Sequence, residues 1–398
     1  MQAKPRIMLR FLQLTPKPPY PPKDGGAIGN AYFLEMTRAM GWSVHGLTMS
    51  TYKHPYDPSY PTPVPLTAIP VDTRPRLMSA LLNLLSSEPY HVRRFRSAAY
   101  AQALAKLVET FQPDILQVES PYLTPYVERL SIPKVYRLHN IESQIWARHA
   151  EEQRWFLRPY FRLQARRIAR YEQECLHIYD GLLPISDKEA EFARGSGYKG
   201  HMEVFPFGID VRQYLAPPLE ADPPRIGFIG GLDWLPNQQG IVWFLEKVWG
   251  LFRRRHPDAH LSIAGRNTPR WLYKYADSHT HILGEVPDAQ AFFHAHEIFI
   301  VPLFSGSGIR IKLIEAFATG RAIVATPIAA ESLVYEEGRD LLIAERPEAF
   351  AEALSVLYTD RSLRMKMGQA ARRLAEEAYD REKLLPRLRS FYESLLRR

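Results

Sequence analysis

Short, almost wholly apolar runs alternate along the chain with longer segments in which apolar positions recur every three or four residues. "RIMLRFLQL" (6–14) reads as a buried strand. A Pro-rich loop follows, then "DGGAIGNAYFLEMTRAMG", a Gly loop feeding a helix that stops at Gly41. "WSVHGLTMS" is the next strand, and "PDILQVES" (113–120) and "KVYRLHN" (134–140) are further short apolar runs. Strands alternating with helices, with Gly at the turns, predict parallel βαβ units and a doubly wound sheet.

The pattern restarts in the second half. "LAPPLEADPPRIGFIGG" places four prolines before a buried-looking strand and is the best linker candidate in the chain. Strands are expected at "HLSIAG" (260–265), "HILGEV" (281–286), "IFIVPL" (298–303) and "RAIVAT" (321–326), with helical segments between them. The expected division is an N-terminal domain over 1–215 and a C-terminal domain over 222–379. The last helix (380–398), with "LLPRLRSFYESLLRR", is expected to pack back on the first domain. Ligands of such sheets bind beyond the carboxyl ends of the strands, so a cleft between two facing halves is the expected site.

Composition adds limits. A chain of 398 residues exceeds one ordinary core, and 46% hydrophobic with 24% charged residues is the balance of a globular protein. The lone Cys175 excludes an intramolecular disulfide framework and fits a reducing compartment. No apolar run approaches the roughly 18 residues of a spanning helix. Arg10 and Gln13 interrupt the N-terminal apolar run and no small-residue cleavage site follows, so no signal peptide and a cytoplasmic location are expected. The formal charge of +8 suits a phosphorylated ligand, nucleic acid or an anionic membrane, and does not choose among them.

Candidate chemistry concentrates in "SGSGIRIKLIEAFATG" (305–320). Ser305, Gly306, Ser307 and Gly308 form a loop that lets backbone amides approach a ligand. Arg310 and Lys312 fall in the first turns of the helix after it, where the positive end of the dipole disfavours cations. An anion sharing that helix end would make them charge-assisted partners; the alternative is a surface helix whose cations point to water. A second Gly-bearing turn, Gly230–Gly231 followed by Asp233, Trp234 and a helix opened by Pro236, could also offer amides to phosphate.

In order and spacing, "VFPFGIDVRQY", "GFIGGLDWLPN", "SIAGRN" and "VPLFSGSGIRIKLIEAFATGRAIVAT" resemble the family 4 glycosyltransferases, of the group 1 glycosyl transferase type. The resemblance covers nearly all of 205–345. It is fainter earlier, where "DGGAIGNAYFLEMTRAMGWSVHGLT" and "RLHNIES" match the family's Gly loop and active-site His segment. It implies an α/β, GT-B fold of two Rossmann-like doubly wound domains and a retaining transfer of sugar from a nucleoside diphosphate donor to an acceptor hydroxyl, as in polysaccharide, glycolipid or other glycoconjugate synthesis. Glu315 matches the second Glu of the family's Glu-x7-Glu motif, which binds the ribose hydroxyls. The first Glu falls on Ser307, a departure that leaves a nucleotide-sugar-binding protein of little turnover as the alternative. The family's pyrophosphate-binding Arg and Lys fall on Gly231 and near Pro236–Asn237, so Arg310 and Lys312 are expected to supply that charge, without a metal.

The same resemblance assigns Gly230, Asn237, Gly306 and Gly308 to the donor and His139 to the donor sugar. Val286 lies where the family reads the nucleobase through backbone groups, and Gly25 and Gly26 where its loop covers phosphates or acceptor. Arg266 is a donor-site candidate, or a capping or ion-paired Arg. Glu142 either orients local groups or starts the next helix. Finally, Arg154, Arg158, Arg162, Arg166 and Arg170 recur every four residues beside Trp155 and Phe156. They read either as a solvated face partnered by Glu172 and Glu174 or as a docking stripe for anionic lipid, with "LMSALLNLLSS" (77–87) as a second membrane-facing element. Nucleic acid is not an expected partner, since only the net charge favours it.

Overall fold

A computed structural model describes residues 8–218, 221–306, 308 and 310–397. It contains two compact units, one built from the chain up to Phe205 together with the stretch from Leu385 onward, the other from Pro206–Leu384. The first holds β1 (Arg10–Thr15), β2 (Ser43–Ser50), β3 (Leu66–Pro70), β4 (Ile115–Val118), β5 (Lys134–Leu138), β6 (Gly181–Pro184) and β7 (His201–Met202), in the spatial order β3-β2-β1-β4-β5-β6-β7. The second holds β8 (Ile226–Ile229), β9 (Leu261–Ala264), β10 (Thr280–Gly284), β11 (Ile298–Val301), β12 (Ala322–Ala325) and β13 (Leu342–Ile343), in the order β10-β9-β8-β11-β12-β13. Every pairing is parallel.

Strands β4, β5, β6, β11 and β12 are buried along their whole length; β11 and β12 accordingly read as continuous apolar runs, while β4 and β5 also bury Gln117, Lys134 and Arg137. Each sheet reverses winding beside its first strand: β1 lies between β2 and β4, and β8 between β9 and β11. Loops leaving the carboxyl ends of such neighbours diverge and leave a crevice for ligand.

In the first unit the helices that matter below are α1 (Gly25–Ala39), α2 (Leu77–Leu82), α3 (Glu142–Glu152) and α4 (Arg158–Leu176); in the second they are α5 (Leu235–Trp243) and α6 (Ile311–Ala318). The last helix, α7 (Arg381–Leu396), carries its aromatic residues into the first unit. Tyr392 is fully buried against Phe11 and Trp42, with ring centroids 5.4 and 5.5 Å apart, and its hydroxyl donates to Gln117 Oε1. Gly181 makes room for the neighbouring ring: a Cβ there would lie 3.0 Å from Phe391.

The unit boundary differs from the expected 215/222. The Pro-rich stretch read as a linker lies inside the second unit, and the chain passes between units at Phe205–Pro206. Residues 206–215 find their polar partners in the second unit: Ile209 N donates to Tyr379 O at 2.8 Å, and the Tyr214 hydroxyl to Glu315 at 3.1 Å. Proline content marks a non-helical connection but does not say which core its backbone groups will bond. Among the described residues no helix is long and apolar enough to cross a membrane.

Candidate functional site

In the second unit, the loop after β8 and the loop after β11 meet at the reversal of the sheet. Gly240 and Gly306 allow the approach, and Gly265 after β9 lets a third loop close on the first. A Cβ on Gly265 would lie 2.2 Å from Gly230 O, and one on Gly240 would lie 1.6 Å from Pro302 O. Gly306 has φ +99°, and a Cβ there would lie 2.6 Å from the Trp234 ring, so only glycine fits. Gly308 has φ +84°. Ser307, the residue at the motif's first Glu position, lies outside the described residues.

Helix α6 starts at Ile311, so Arg310 occupies the cap position rather than the first turn expected from sequence. Its guanidinium lies over the Trp234 ring, 5.2 Å from the centroid, and donates to Gly308 O at 3.0 Å. Lys312 donates to Asn237 Oδ1 at 2.7 Å, and Asn237 Nδ2 donates to Gly231 O at 2.8 Å. Asn237 therefore ties the two loops together. The Lys312 ammonium sits 3.1 Å from where a Gly230 Cβ would be and 4.7 Å from the Phe228 ring centroid. Among the described residues it has no carboxylate partner. Desolvation, with Arg310 adding like charge, lowers its pKa to about 7. Lys312 is half-buried beside the buried Arg310, with a neutral amide as its hydrogen-bond partner, an arrangement with room in its charge balance for an anion.

Glu315 lies one turn further along α6 and accepts from Tyr214. Burial raises its carboxyl to about 7, against the lowering effect of that hydrogen bond. Arg266 lies at the turn after β8. Its NH2 lies 3.5 Å from Asp233 Oδ2, an oxygen that also accepts from Asn267 Nδ2 at 3.0 Å, and 3.9 Å from where a Gly231 Cβ would be, so the ion pair sits at the candidate donor turn itself. Val286 follows β10 and is half-buried.

In the first unit, His139 follows β5 and Glu119 follows β4, at neighbouring carboxyl ends. His139 Nε2 lies 2.6 Å from Glu119 Oε2. A carboxylate only accepts, so Nε2 carries the proton and Nδ1 is the ring nitrogen left for other chemistry. Glu119 is buried, and Gln13 Nε2 donates to its other oxygen at 2.9 Å, as does Gln117 Nε2. Arg137, fully buried between Phe33 and Phe205, supplies a positive charge to the same network. Gly29 of α1 is the close neighbour of the imidazole: a Cβ there would lie 3.7 Å from His139 Cε1.

Gly25 and Gly26 are the exposed first residues of α1 rather than a loop before it. Asp24 caps the helix, accepting from Gly26 N at 2.9 Å and Ala27 N at 3.0 Å and from the Lys17 ammonium. Glu142 opens α3 and accepts from the Tyr122 hydroxyl at 2.5 Å, so it does both things the sequence left open. The arginine stripe is partly neutralised: Arg162 pairs with Glu151 at 2.9 Å and Arg170 with Glu174 at 2.9 Å. Glu172 instead turns inward and accepts from Glu142 N at 2.8 Å and Ser143 N at 3.1 Å.

Side chains of these sites that carry no site role in the sequence reading include Tyr214 and Trp234 in the second unit and Glu119, Gln13, Gln117 and Arg137 in the first. The one legible signal was Glu119, an acid ending the apolar run "ILQV" where such a strand should finish buried.

Comparison with known proteins follows the two units. The family model for glycosyltransferase family 4 matches residues 24–213, and that for glycosyl transferases group 1 matches 223–360. An uncharacterized 44.6 kDa protein in the cps region of Klebsiella pneumoniae is 24% identical over 395 residues, 95% of this chain and 98% of that protein. A phosphatidyl-myo-inositol mannosyltransferase of Mycobacterium leprae is 28% identical over 54% of this chain and 59% of its own length. Among solved structures, sucrose-phosphate synthase from Thermosynechococcus elongatus superposes with a TM-score of 0.71 at 14% identity, over 97% of this chain and 99% of that one. HepE from Anabaena in complex with UDP superposes with a TM-score of 0.66 at 12% identity, over 97% and 100%.

Proposed function

The chain belongs to the family 4, group 1 glycosyltransferases and has their GT-B fold, and on that premise we propose that it transfers a sugar from a nucleoside diphosphate donor to an acceptor hydroxyl with retention of configuration. The observation that carries this reading is Lys312: a desolvated ammonium without a carboxylate partner among the described residues, beside Arg310 at the Gly230–Gly231 turn. Pyrophosphate has the charge and size to occupy that position. UDP and UDP-sugars are the first donors to test, because HepE binds UDP and UDP-glucose and the pneumococcal transferase GtfA binds UDP and GlcNAc. The relatives from a cps region and among lipid-linked inositol mannosyltransferases support an acceptor in polysaccharide or glycolipid synthesis.

In the proposed reaction the bond from the anomeric carbon to the β-phosphate oxygen breaks as the acceptor oxygen bonds to the same face. The acceptor's proton passes to the departing phosphate. Arg310 and Lys312 take up the growing negative charge, so no metal is required for that role. Glu315 accepts from the ribose hydroxyls, displacing Tyr214. Gly230, Gly231, Gly306 and Gly308 keep the loops bare enough for the phosphates, and Asn237 orients Lys312. Val286 sits at the base. His139 bears on the donor sugar, with Glu119 fixing its tautomer, and Gly25–Gly26 lies on the acceptor side. We place the protein in the cytoplasm, with peripheral contact at an anionic membrane.

A panel of UDP-, GDP- and ADP-sugars, screened by thermal shift and then by sugar release, tests the reading. One base class should raise the melting temperature and yield free or transferred sugar. Stabilisation without sugar release, even with acceptors supplied, would mark a binding protein instead. Glu119→Gln probes the first unit separately. It keeps volume and removes the carboxylate that fixes the His139 tautomer, so kcat should fall by roughly a hundredfold, as for lost orientation of a catalytic imidazole, with donor KM nearly unchanged. Unaltered kcat would exclude His139 Nδ1 from the reaction.

A further inference from the structure

Residues 72–96 combine the largest run of exposed apolar side chains in the first unit with an excess of positive charge. Helix α2 buries none of its residues: Leu77 is 77% exposed and Met78 67%, and Leu81 and Leu82 are also open to water. Leu85, just past its end, is 91% exposed. A helix this short is not stable by itself and usually depends on an apolar face packed inward. Here polar anchors hold it. Asn83 is fully buried and donates to Glu88 O at 2.9 Å, while Arg167 of α4 donates to Asn83 O at 2.9 Å and to Leu84 O at 3.0 Å. Gln164 of α4 adds a bond to Asn83 Oδ1 at 3.2 Å. The polar turn is bound to the protein and the leucines are presented outward.

The charge around them is one-sided. Residues 72–96 contain Arg74, Arg76, Arg93, Arg94 and Arg96 against Asp72 and Glu88, five positive minus two negative, a net of +3. Arg74 and Arg76 share Asp72, and Arg96 pairs with Glu88. Arg93 is exposed and has no ion-pair partner among the described residues. An apolar patch rimmed by polar residues marks an interaction site. Flexible Leu and Met side chains set in an arginine rim suit acyl chains beneath phosphate headgroups, and offer little of the buried polar matching a protein partner would use.

We propose that α2 with Leu85 is the membrane-docking element of this protein: the leucines enter the headgroup–acyl boundary of an anionic bilayer and the arginines of 74–96 lie at its phosphates. This rests on the reading of peripheral membrane contact given above and names the surface responsible. Arg162 and Arg170 of the stripe on α4 pair with Glu151 and Glu174 much as Arg74, Arg76 and Arg96 pair with Asp72 and Glu88, so what singles out this surface is the exposed apolar run from Leu77 to Leu85.

The test is flotation of the full chain with phosphatidylcholine vesicles, with or without phosphatidylglycerol. Wild type should float with the anionic vesicles, less with neutral ones, and less again in high salt. Leu81→Asp with Leu85→Asp, both on exposed positions, should lose at least about tenfold in vesicle partitioning while keeping its thermal unfolding temperature. Donor-sugar hydrolysis without vesicles, measured on both proteins, separates this proposal from the catalytic one: flotation without hydrolysis overturns the activity and leaves the docking surface. Equal flotation of variant and wild type, no flotation of wild type, or a lipid-free dimer abolished by the double substitution would each overturn the docking proposal.

Discussion

Glu315→Ala should weaken binding of the nucleoside diphosphate by on the order of a hundredfold, the equivalent of about 3 kcal/mol for two hydroxyl bonds to one carboxylate. Calorimetry with the diphosphate selected by the donor panel reads this directly; unchanged affinity would sink the ribose assignment. The companion variant Tyr214→Phe separates ligand contact from local packing. In the free protein the Tyr214 hydroxyl holds Glu315 at 3.1 Å, and the ribose must replace it. Removing that competitor should leave affinity equal or higher, within about threefold. If both variants lose affinity alike, Glu315 acts through the Tyr214 contact and not through ribose. The pH dependence has a defined sign. Burial raises the Glu315 carboxyl to about 7 from an ordinary 4.5, so the folded protein holds an extra proton across that window. Stability from this group is present below the lower value and lost as pH rises through about 7. The ribose needs the ionised acceptor, so this group favours binding as pH rises through the same value.

β1, β8, β11 and β12 were among the strands legible in the sequence, being buried along nearly all their length and apolar enough to stand out even at four residues in the last three. β3, β7 and β13 were not, because edge strands can be short and half-exposed: β7 and β13 have two residues each, and β3 is exposed or half-buried throughout. β6, "GLLP", is interior and no shorter than β8, but it opens on glycine and ends in proline, which read as turn residues. Of the candidate site, the residues that carry charge or lack a side chain were readable, because spacing around glycine constrains them. Tyr214 and Trp234 were not, since their roles come from what lies across a loop: Glu315 in one case and the Arg310 guanidinium in the other. For Glu119 it was the partner, not the residue, that was hidden. Its pairing with His139 depends on β4 and β5 being neighbours, which local periodicity does not encode. The cap position of Arg310 also escaped the pattern, because apolar spacing marks the inward face of α6 but not the backbone angles of the residue that caps it.

Arg310→Ala combined with Lys312→Ala should lower transfer by on the order of a thousandfold or more while the fold persists, since losing one preorganised partner of developing charge costs roughly a hundred- to a thousandfold. The double variant relieves two desolvated like charges, so its thermal stability should equal or exceed that of wild type; near-normal transfer would mean the pyrophosphate is held elsewhere. Proton linkage gives an independent reading of Lys312 alone. Its pKa falls from 10.5 to about 7 in the folded protein, first through desolvation and then through Arg310. Stability from this group is therefore present above the higher value and lost as pH falls through the lower one. A diphosphate beside the ammonium restores the charged form, so binding near pH 8 should take up close to about one proton. Titration calorimetry in buffers of different ionisation enthalpy counts that proton, and Lys312→Met should abolish the uptake without removing the Gly230–Gly231 turn. Binding by wild type with no proton uptake would place the phosphates away from Lys312, and with them the role assigned to the cations at the start of α6.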